Sequence, residues 1–158
     1  MTANLFFGRE CLDALCARAR ESKRRRMNLN FHDRDEHPAN RLLNAMETDS
    51  YVRPHRHLRP DKEETFVAVR GALGVVLFDG DGNVTQTALI RPNGELIGAH
   101  VPCGTFHSIV ALEPGSVFFE VKGGPYQPTI EKEWAQWSPP EGDAAAPAYL
   151  AKLRALFG

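Results

Sequence analysis

The sequence has few cysteines and no long apolar segment, and both absences narrow the class of protein. Its 158 residues include 3 cysteines, an odd number that excludes a complete set of disulfide bonds. No run approaches the roughly 18 apolar residues of a membrane-spanning helix. The N-terminal residues lack the basic and long apolar segments of a secretory signal. We therefore expect reduced thiols, a cytoplasmic location and no membrane partner.

An excess of charge of either sign is also absent. The formal net charge is -1 at pH 7, so no overall field favours nucleic acid or an anionic membrane as a partner. The basic run at residues 23–26 is a candidate nucleic-acid patch. Without interleaved aromatic residues it is more typical of the solvated end of a helix. We therefore expect no nucleic-acid partner.

What the sequence does contain is a series of short β-prone stretches separated by turn residues. They are rich in Val, Leu, Ile, Phe and Thr and occur at residues 65–70, 74–78, 84–90, 106–111 and 116–121. Gly, Pro, Asn and Asp residues separate them, which predicts an antiparallel β-sandwich or barrel. The expected fold class is all-β with flanking helices.

The flanking helices are predicted from apolar residues at spacings of three and four. This pattern indicates a helix over residues 9–26 and a short one over 147–157, whereas residues 27–40 are expected to be irregular. The length suits one compact domain. Its parts would be an N-terminal helix and irregular segment (1–40), a barrel (41–124), and a Pro- and Trp-rich tail with a short helix (125–158).

Candidate metal ligands occur at the start of the β region. Alternate residues of a strand point to the same face, so His55 and His57 project together. Glu64 opens the next β-prone stretch, and His107 follows a Pro- and Gly-containing turn. Three imidazoles and one carboxylate suit one divalent transition metal ion, and Fe, Mn, Ni and Zn all remain candidates. An octahedral ion would keep two open positions for water or substrate.

Two nearby carboxylates are alternatives to Glu64. Glu63 would serve if the strand register were shifted by one residue, and Asp61 lies in the preceding loop. Strand parity favours Glu64, because Phe66 and Ala68 would then also face inwards.

Arg53 and Tyr51 share the strand parity of the two histidines and are candidate substrate-binding residues. An inward Arg53 could hold a carboxylate or phosphate through its bidentate guanidinium group, and a structural salt bridge is the alternative. In the turn before His107, Cys103 is expected to be a small buried hydrophobic residue.

Three polar residues after the first predicted helix also have two interpretations. Asn28, Asn30 and His32 either reach over the mouth of the barrel into the site, or cap the helix and bind loop backbone.

The motifs around the histidines resemble those of the cupin (RmlC-like) family. Its first motif, His-x-His followed by Glu and, after six further residues, by Gly, is matched by His55, His57, Glu64 and Gly71. Its second motif, Pro-x-Gly-x-x-His, is matched by Pro102, Gly104 and His107. Two features depart from the pattern: six residues separate His57 from Glu64 instead of three or four, and Ala111 replaces the final Asn.

The similarity continues outside the motifs. Four segments resemble segments of the WbuC-type cupin metalloproteins: residues 28–32, 41–46, 51–57 and 134–143. The resemblance implies a bacterial metal-binding cupin, often encoded near surface-polysaccharide genes, and cupins commonly form homodimers. It implies no particular reaction.

Two classes of function are compatible with such a site. The first is a metal-dependent isomerase, epimerase or lyase for a small polar, sugar-derived molecule, in which the metal acts as a Lewis acid. With Fe(II), the same site could instead serve a dioxygenase. The second class is a non-catalytic module that binds a small ligand or a metal. The sequence leaves catalysis itself open.

Overall fold

The computed structural model describes residues 6–127 and 132–158, and within these ranges the chain forms ten strands, two α-helices and a terminal 3-10 turn. The helices are α1 (Arg9–Glu21) and α2 (Ala146–Arg154), followed by the 3-10 turn Ala155–Phe157. The strands are β1 (Arg26–Asn30), β2 (Ala39–Met46), β3 (His55–Arg56), β4 (Glu64–Arg70), β5 (Leu73–Phe78), β6 (Val84–Ile90), β7 (Gly98–Val101), β8 (Phe106–Ala111), β9 (Ser116–Gly123) and β10 (Glu133–Trp134).

The strands form two five-stranded antiparallel sheets. Sheet A has the order β1-β2-β9-β4-β7, and sheet B has the order β10-β3-β8-β5-β6. This architecture confirms the predicted fold class. The alternation expected for β4 is also present, since Glu64, Phe66 and Ala68 are buried and the residues between them are exposed.

Three apolar clusters hold the layers together. The central cluster lies between the sheets and includes Phe66 and Phe118 of sheet A and Val75 and Ile109 of sheet B. A second cluster packs α1 on the outer face of sheet A, and a third packs α2 against sheet B. Burial of these faces supplies most of the driving force for folding.

The first helix begins where the sequence predicts and ends earlier. Ser22 leaves the helical conformation with φ -70° and ψ 139°, and Arg25 has a positive φ of 57° that turns the chain into β1. Residues 27–40, expected to be irregular, therefore contain β1 and the start of β2. In β1, Leu29 packs on the α1 cluster while Asn28 and Asn30 line the interior cavity.

The C-terminal segment lies against sheet B. Strand β10 pairs with β3, and the Trp137 ring packs 4.9 Å from that of Phe78. Residues 128–131 of the predicted tail, and residues 1–5 of the predicted N-terminal segment, lie outside the described residues. Neither described helix is long and apolar enough to cross a lipid bilayer.

Candidate metal centre

Four side chains from both sheets converge at one point in the interior. His55 in β3 lies opposite His107 in β8 within sheet B, His57 follows β3, and Glu64 opens β4 in sheet A. All four are buried, and one potential ligand atom from each lies within 4.8 Å of the others. The structure therefore brings together the four residues that the sequence nominates.

The turn before β8 fixes the two motif segments against each other. Gly104 has a positive φ of 79°, a conformation that glycine adopts without steric penalty. Its N–H donates a 2.6 Å hydrogen bond to the carbonyl oxygen of His57. This bond holds the segment that carries His57 beside the segment that carries His107.

Backbone carbonyl groups orient two of the imidazole rings. The Nδ1–H of His55 donates to the Arg53 carbonyl oxygen at 2.9 Å, and that of His107 donates to the Thr105 carbonyl oxygen at 2.9 Å. Both rings therefore turn Nε2 away from these carbonyls. Metal-binding histidines are commonly held by such a bond on the other ring nitrogen.

The donor set fits a cation. His107 Nε2 lies 2.8 Å from Glu64 Oε2, so both nitrogens of this buried ring face oxygen acceptors. A neutral imidazole has only one N–H to donate. Nε2 of His107 must therefore bind either a second proton or a metal ion. His57 Nε2 lies 3.0 Å from the other carboxylate oxygen, Oε1, so a single ion can be shared by the group.

Electrostatics favour a neutral His55 and an ionised Glu64. Burial, with the nearby charges of Lys132 and His107, lowers the pKa of His55 well below 6.5, so this ring is neutral. Burial raises the pKa of Glu64, but hydrogen bonds from His107 and His57 outweigh it and leave the pKa well below 4.5. Neutral imidazole and ionised carboxylate are the forms that bind metals.

The alternative carboxylates lie outside the cluster. The Glu63 side chain is 61% exposed and faces His100 on the outer surface, at 3.6 Å. Asp61 is exposed and pairs with Arg59 at 2.8 Å. The structure therefore selects Glu64 as the carboxylate of the cluster, as strand parity predicts.

Tyr51 and Arg53 do not line the cavity, which corrects the prediction that they face inwards beside the histidines. The Tyr51 hydroxyl donates to the Pro139 carbonyl oxygen at 2.9 Å, and Arg53 Nη2 donates to the Ala135 carbonyl oxygen at 2.9 Å. Strand alternation fails here because β3 covers only His55–Arg56. Both side chains hold the C-terminal segment instead.

A cavity of about 370 Å³ adjoins the cluster, within the size range of small-molecule sites. His55, Glu64 and His107 face it, and exposed residues at its edge, among them Asp35 and Tyr126, show that it reaches the surface. Its sheet A side carries four asparagines that we call the amide wall: Asn28, Asn30, Asn40 and Asn44.

Charged groups also line the cavity. Lys122 Nζ lies 3.6 Å from Glu64 Oε1 and 3.7 Å from Glu120 Oε1, and Lys132 contributes a second ammonium group. Burial and the nearby Glu64 raise the pKa of Glu120. Sequence analysis missed Glu120 and Lys122, although two polar residues at inward parity in an otherwise apolar strand were a usable signal.

Two further sequence predictions are decided by burial and contacts. Asn28, Asn30 and His32 line the cavity, in agreement with the interpretation that they reach over its mouth. Cys103 is exposed, which corrects the expectation of a buried residue, because its turn projects into solvent.

The basic run is not a solvated helix end throughout. Arg24 and Arg26 both bind Glu141, each at about 2.9 Å between nitrogen and carboxylate oxygen, and both line the cavity. Two of the four basic residues therefore tie β1 and the turn before it to the C-terminal segment.

The profile of a family described as a domain of unknown function (DUF6016) matches residues 7–90, more than half of the 158 residues. The chain belongs to the DUF6016 family. The matched region includes His55, His57 and Glu64 and ends before His107.

Solved structures that are similar to this DUF6016 chain have the cupin fold. KdgF from Halomonas sp. is 19% identical with a TM-score of 0.51, over 66% of this chain and 84% of that one. The capsular polysaccharide assembling protein CapF from Staphylococcus aureus is 16% identical with a TM-score of 0.54, over 68% of this chain and 28% of that one. Protein SO0799 from Shewanella oneidensis is 15% identical with a TM-score of 0.56, over 80% and 84%. The structural similarity shows that the chain has the cupin (RmlC-like) β-sandwich fold.

Proposed function

We propose that this DUF6016 protein binds one divalent transition metal ion through His55, His57, Glu64 and His107 and acts on a small polar molecule held in the adjoining cavity. The observation that carries the proposal is the convergence of four buried donor atoms within 4.8 Å. The arrangement of His107, whose two ring nitrogens both face oxygen acceptors, supports a cation at this point.

Isomerase, epimerase or lyase chemistry is the type of reaction that the surroundings favour. When bound, the metal supplies a Lewis acid that polarises a carbonyl or hydroxyl oxygen. Glu120 and Lys122 place a carboxyl and an ammonium group on the cavity wall beside the cluster, and such groups serve general acid–base catalysis. Phe66, Ile109 and Phe118 add apolar surface to the cavity wall.

The family resemblance and the similar solved structures guide the choice of substrates to test. The WbuC-type resemblance and the name of CapF, a capsular polysaccharide assembling protein, point to sugar intermediates of surface polysaccharides as the first compounds to screen. A homodimer and a cytoplasmic location stay predictions.

Elemental analysis of the purified protein tests the metal assignment. We expect about one transition metal ion per wild-type chain and loss of most of it in His55→Ala. The matched control is His100→Ala, which removes an exposed histidine outside the cluster and should retain the metal. Stoichiometric metal in His55→Ala would contradict the ligand assignment.

The identity of the metal and oxygen consumption then separate the classes of function. Zinc, manganese or nickel with substrate turnover and no oxygen uptake supports an isomerase, epimerase or lyase. Iron with substrate-dependent oxygen uptake supports a dioxygenase. Ligand-dependent thermal stabilisation without turnover supports a binding module.

A further inference from the structure

One buried polar atom in the cavity wall has no hydrogen-bond partner among the residues that the structure describes. Asn40 is only 3% exposed, it lines the cavity, and its Oδ1 accepts no hydrogen bond within the part of the chain that the structure describes. Buried polar atoms are nearly always paired, and an unpaired one destabilises a protein. An unpaired atom that faces a cavity indicates a group supplied by a ligand.

The register of sheet A relates Asn40 to the metal centre. Asn40 in β2 lies opposite Lys122 in β9, and Lys122 lies opposite Glu64 in β4. Adjacent strands are about 4.8 Å apart, so the backbones of Asn40 and Glu64 are separated by roughly 10 Å. A molecule the size of a monosaccharide can therefore extend from Asn40 to Glu64.

Hydroxyl groups are the partners that suit the amide wall. The Nδ2 of Asn28 donates to Asn30 Oδ1 at 2.6 Å, and the Nδ2 of Asn44 donates to Glu120 Oε2 at 2.9 Å. The Oδ1 atoms of Asn28 and Asn44 and the Nδ2 of Asn30 remain for other partners. Because a hydroxyl both donates and accepts, it matches an amide whichever way the amide is turned.

The same cavity contains a cation that the described residues do not hold in a close ion pair, although the carboxylates of Glu64 and Glu120 are near enough to favour its charged form. Lys132 lines it, and among residues 6–127 and 132–158 no carboxylate oxygen forms an ion pair with its Nζ. Its Nζ lies 5.5 Å from the centroid of the Trp134 ring. Burial disfavours an ammonium group that lacks a close anionic partner, so an anionic group of a ligand would be favoured beside it. Arg24, Arg26 and Lys122 also line the cavity but already pair with carboxylates. The one remaining ammonium group, that of Lys132, matches the single charge of a carboxylate better than the double charge of a phosphate.

We propose that the ligand is a sugar acid, a polyhydroxylated carboxylate of monosaccharide size, with a hydroxyl group on Asn40 and its carboxylate on Lys132. The inference rests on the proposed function, because the remaining end of the ligand would lie at the metal centre. It assigns substrate selectivity to Asn40 and Lys132, neither of which is a proposed metal ligand.

Isothermal titration calorimetry of the metal-loaded full-length chain tests this assignment. The probes are D-glucuronate, D-gluconate, D-glucose and D-glucose 6-phosphate. We expect the two carboxylates to bind more tightly than glucose and glucose 6-phosphate. Asn40→Ala should weaken binding of the preferred carboxylate about tenfold, the effect of one lost hydrogen bond. Lys132→Met should weaken the carboxylates about tenfold or more and leave glucose unchanged.

Two matched controls and two further measurements separate recognition from folding. Asn93→Ala and Lys152→Met change exposed residues outside the cavity and should bind like the wild type. Metal content should be unchanged in every variant. Asn40→Leu should melt at the wild-type temperature or higher, because the Oδ1 atom that it removes has no partner to lose.

Several outcomes would overturn the inference. Metal-loaded protein that binds none of the carboxylates contradicts the sugar-acid assignment and leaves the metal centre intact. Tighter binding of glucose 6-phosphate contradicts the carboxylate, and equal losses in the control variants contradict the roles of Asn40 and Lys132. Failure of the wild type to take up any metal contradicts the proposed function instead, and the same titrations on that protein then test the amide wall separately.

Discussion

Gly71, the last residue of the first cupin motif, is needed for its backbone conformation and for its lack of a side chain. It has a positive φ of 72°, and a Cβ atom here would collide with the hydroxyl of Ser116. That hydroxyl donates to the Glu113 carbonyl oxygen at 2.7 Å and accepts from the Ala72 N–H at 3.2 Å. A side chain at position 71 would therefore disturb the turn that joins β4 to β5.

We expect Gly71→Ala to lower the free energy of unfolding by about 2 kcal/mol, from a strained backbone and the contact with Ser116. Urea denaturation followed by circular dichroism measures the change. Gly80→Ala is the matched control, since a Cβ there has no neighbour within 4 Å, and it should be close to neutral. Equal effects of the two substitutions would argue against this role of Gly71.

The three cysteines should differ in reactivity with a thiol reagent. Cys103 is exposed and Cys16 is buried. Burial raises the pKa of Cys16, against a smaller opposing effect of Arg70, and a thiol reacts as its thiolate. In native protein at pH 8 we expect a fast phase from Cys103. The fast phase should disappear in Cys103→Ser and persist in Cys16→Ser; its loss in Cys16→Ser would contradict the described burial.

At the residue scale, the predictions that held depended on local rules. Strand parity selects Glu64 over Glu63 because β4 is a regular strand. The same rule misplaces Tyr51 and Arg53, since the chain before Pro54 is not in a strand and each side chain bonds to a distant carbonyl group in the C-terminal segment. Such contacts are not encoded in the neighbouring sequence.

At the scale of elements, β1 and the C-terminal segment are linked by a carboxylate shared between two arginines. Burial raises the pKa of Glu141, but hydrogen bonds from Arg24 and Arg26 outweigh it and lower the pKa from 4.5 to about 2. The ionised form therefore stabilises the folded state above about pH 4.5. That contribution is lost as pH falls towards 2.

We expect Glu141→Gln to lower the free energy of unfolding at pH 7 by about 1 kcal/mol, a value reduced because the pair is partly exposed and screened by solvent. The difference from wild type should shrink as pH falls from 4.5 towards 2. Thermal melts across this range measure both effects. Glu113→Gln, which breaks the more exposed pair with Arg91, is the control and should have little effect. A pH-independent difference would refute the assignment.

The limits of sequence-based prediction are visible in these elements. Five strands were predictable because turn residues flank each of the apolar stretches that form them. Strand β1 was not predictable, because its alternation of Met27 and Leu29 with asparagines is short. It also directly follows α1, which the apolar pattern predicts to be longer than it is. The order of the strands in each sheet depends on pairing between distant segments, which no local pattern contains.

For the whole molecule, the metal centre joins the two sheets, since Glu64 belongs to sheet A and His55 and His107 belong to sheet B. A ligand that binds only the folded state stabilises it, by about 2.7 kcal/mol at a free concentration one hundred times its Kd. We expect a chelator to lower the Tm of metal-loaded protein by roughly 5–10 °C. Added metal should restore it.

A variant that lacks the metal centre is the control for the effect of the chelator. His55→Ala should show a low Tm that a chelator does not change, whereas His100→Ala should respond like the wild type. A chelator-sensitive Tm in His55→Ala would place the stabilising ion elsewhere. Differential scanning fluorimetry is sufficient for this comparison.

The placement of the histidines in and beside sheet B and of the amide wall on sheet A has a consequence for how such a protein can diversify. Preference for a new compound can be acquired through replacements on β1 and β2, while the proposed metal ligands in or next to β3, β4 and β8 stay unchanged. Libraries that randomise positions 28, 30, 40 and 44 should therefore yield altered selectivity at undiminished occupancy by the ion, which makes this chain a practical scaffold for redesign.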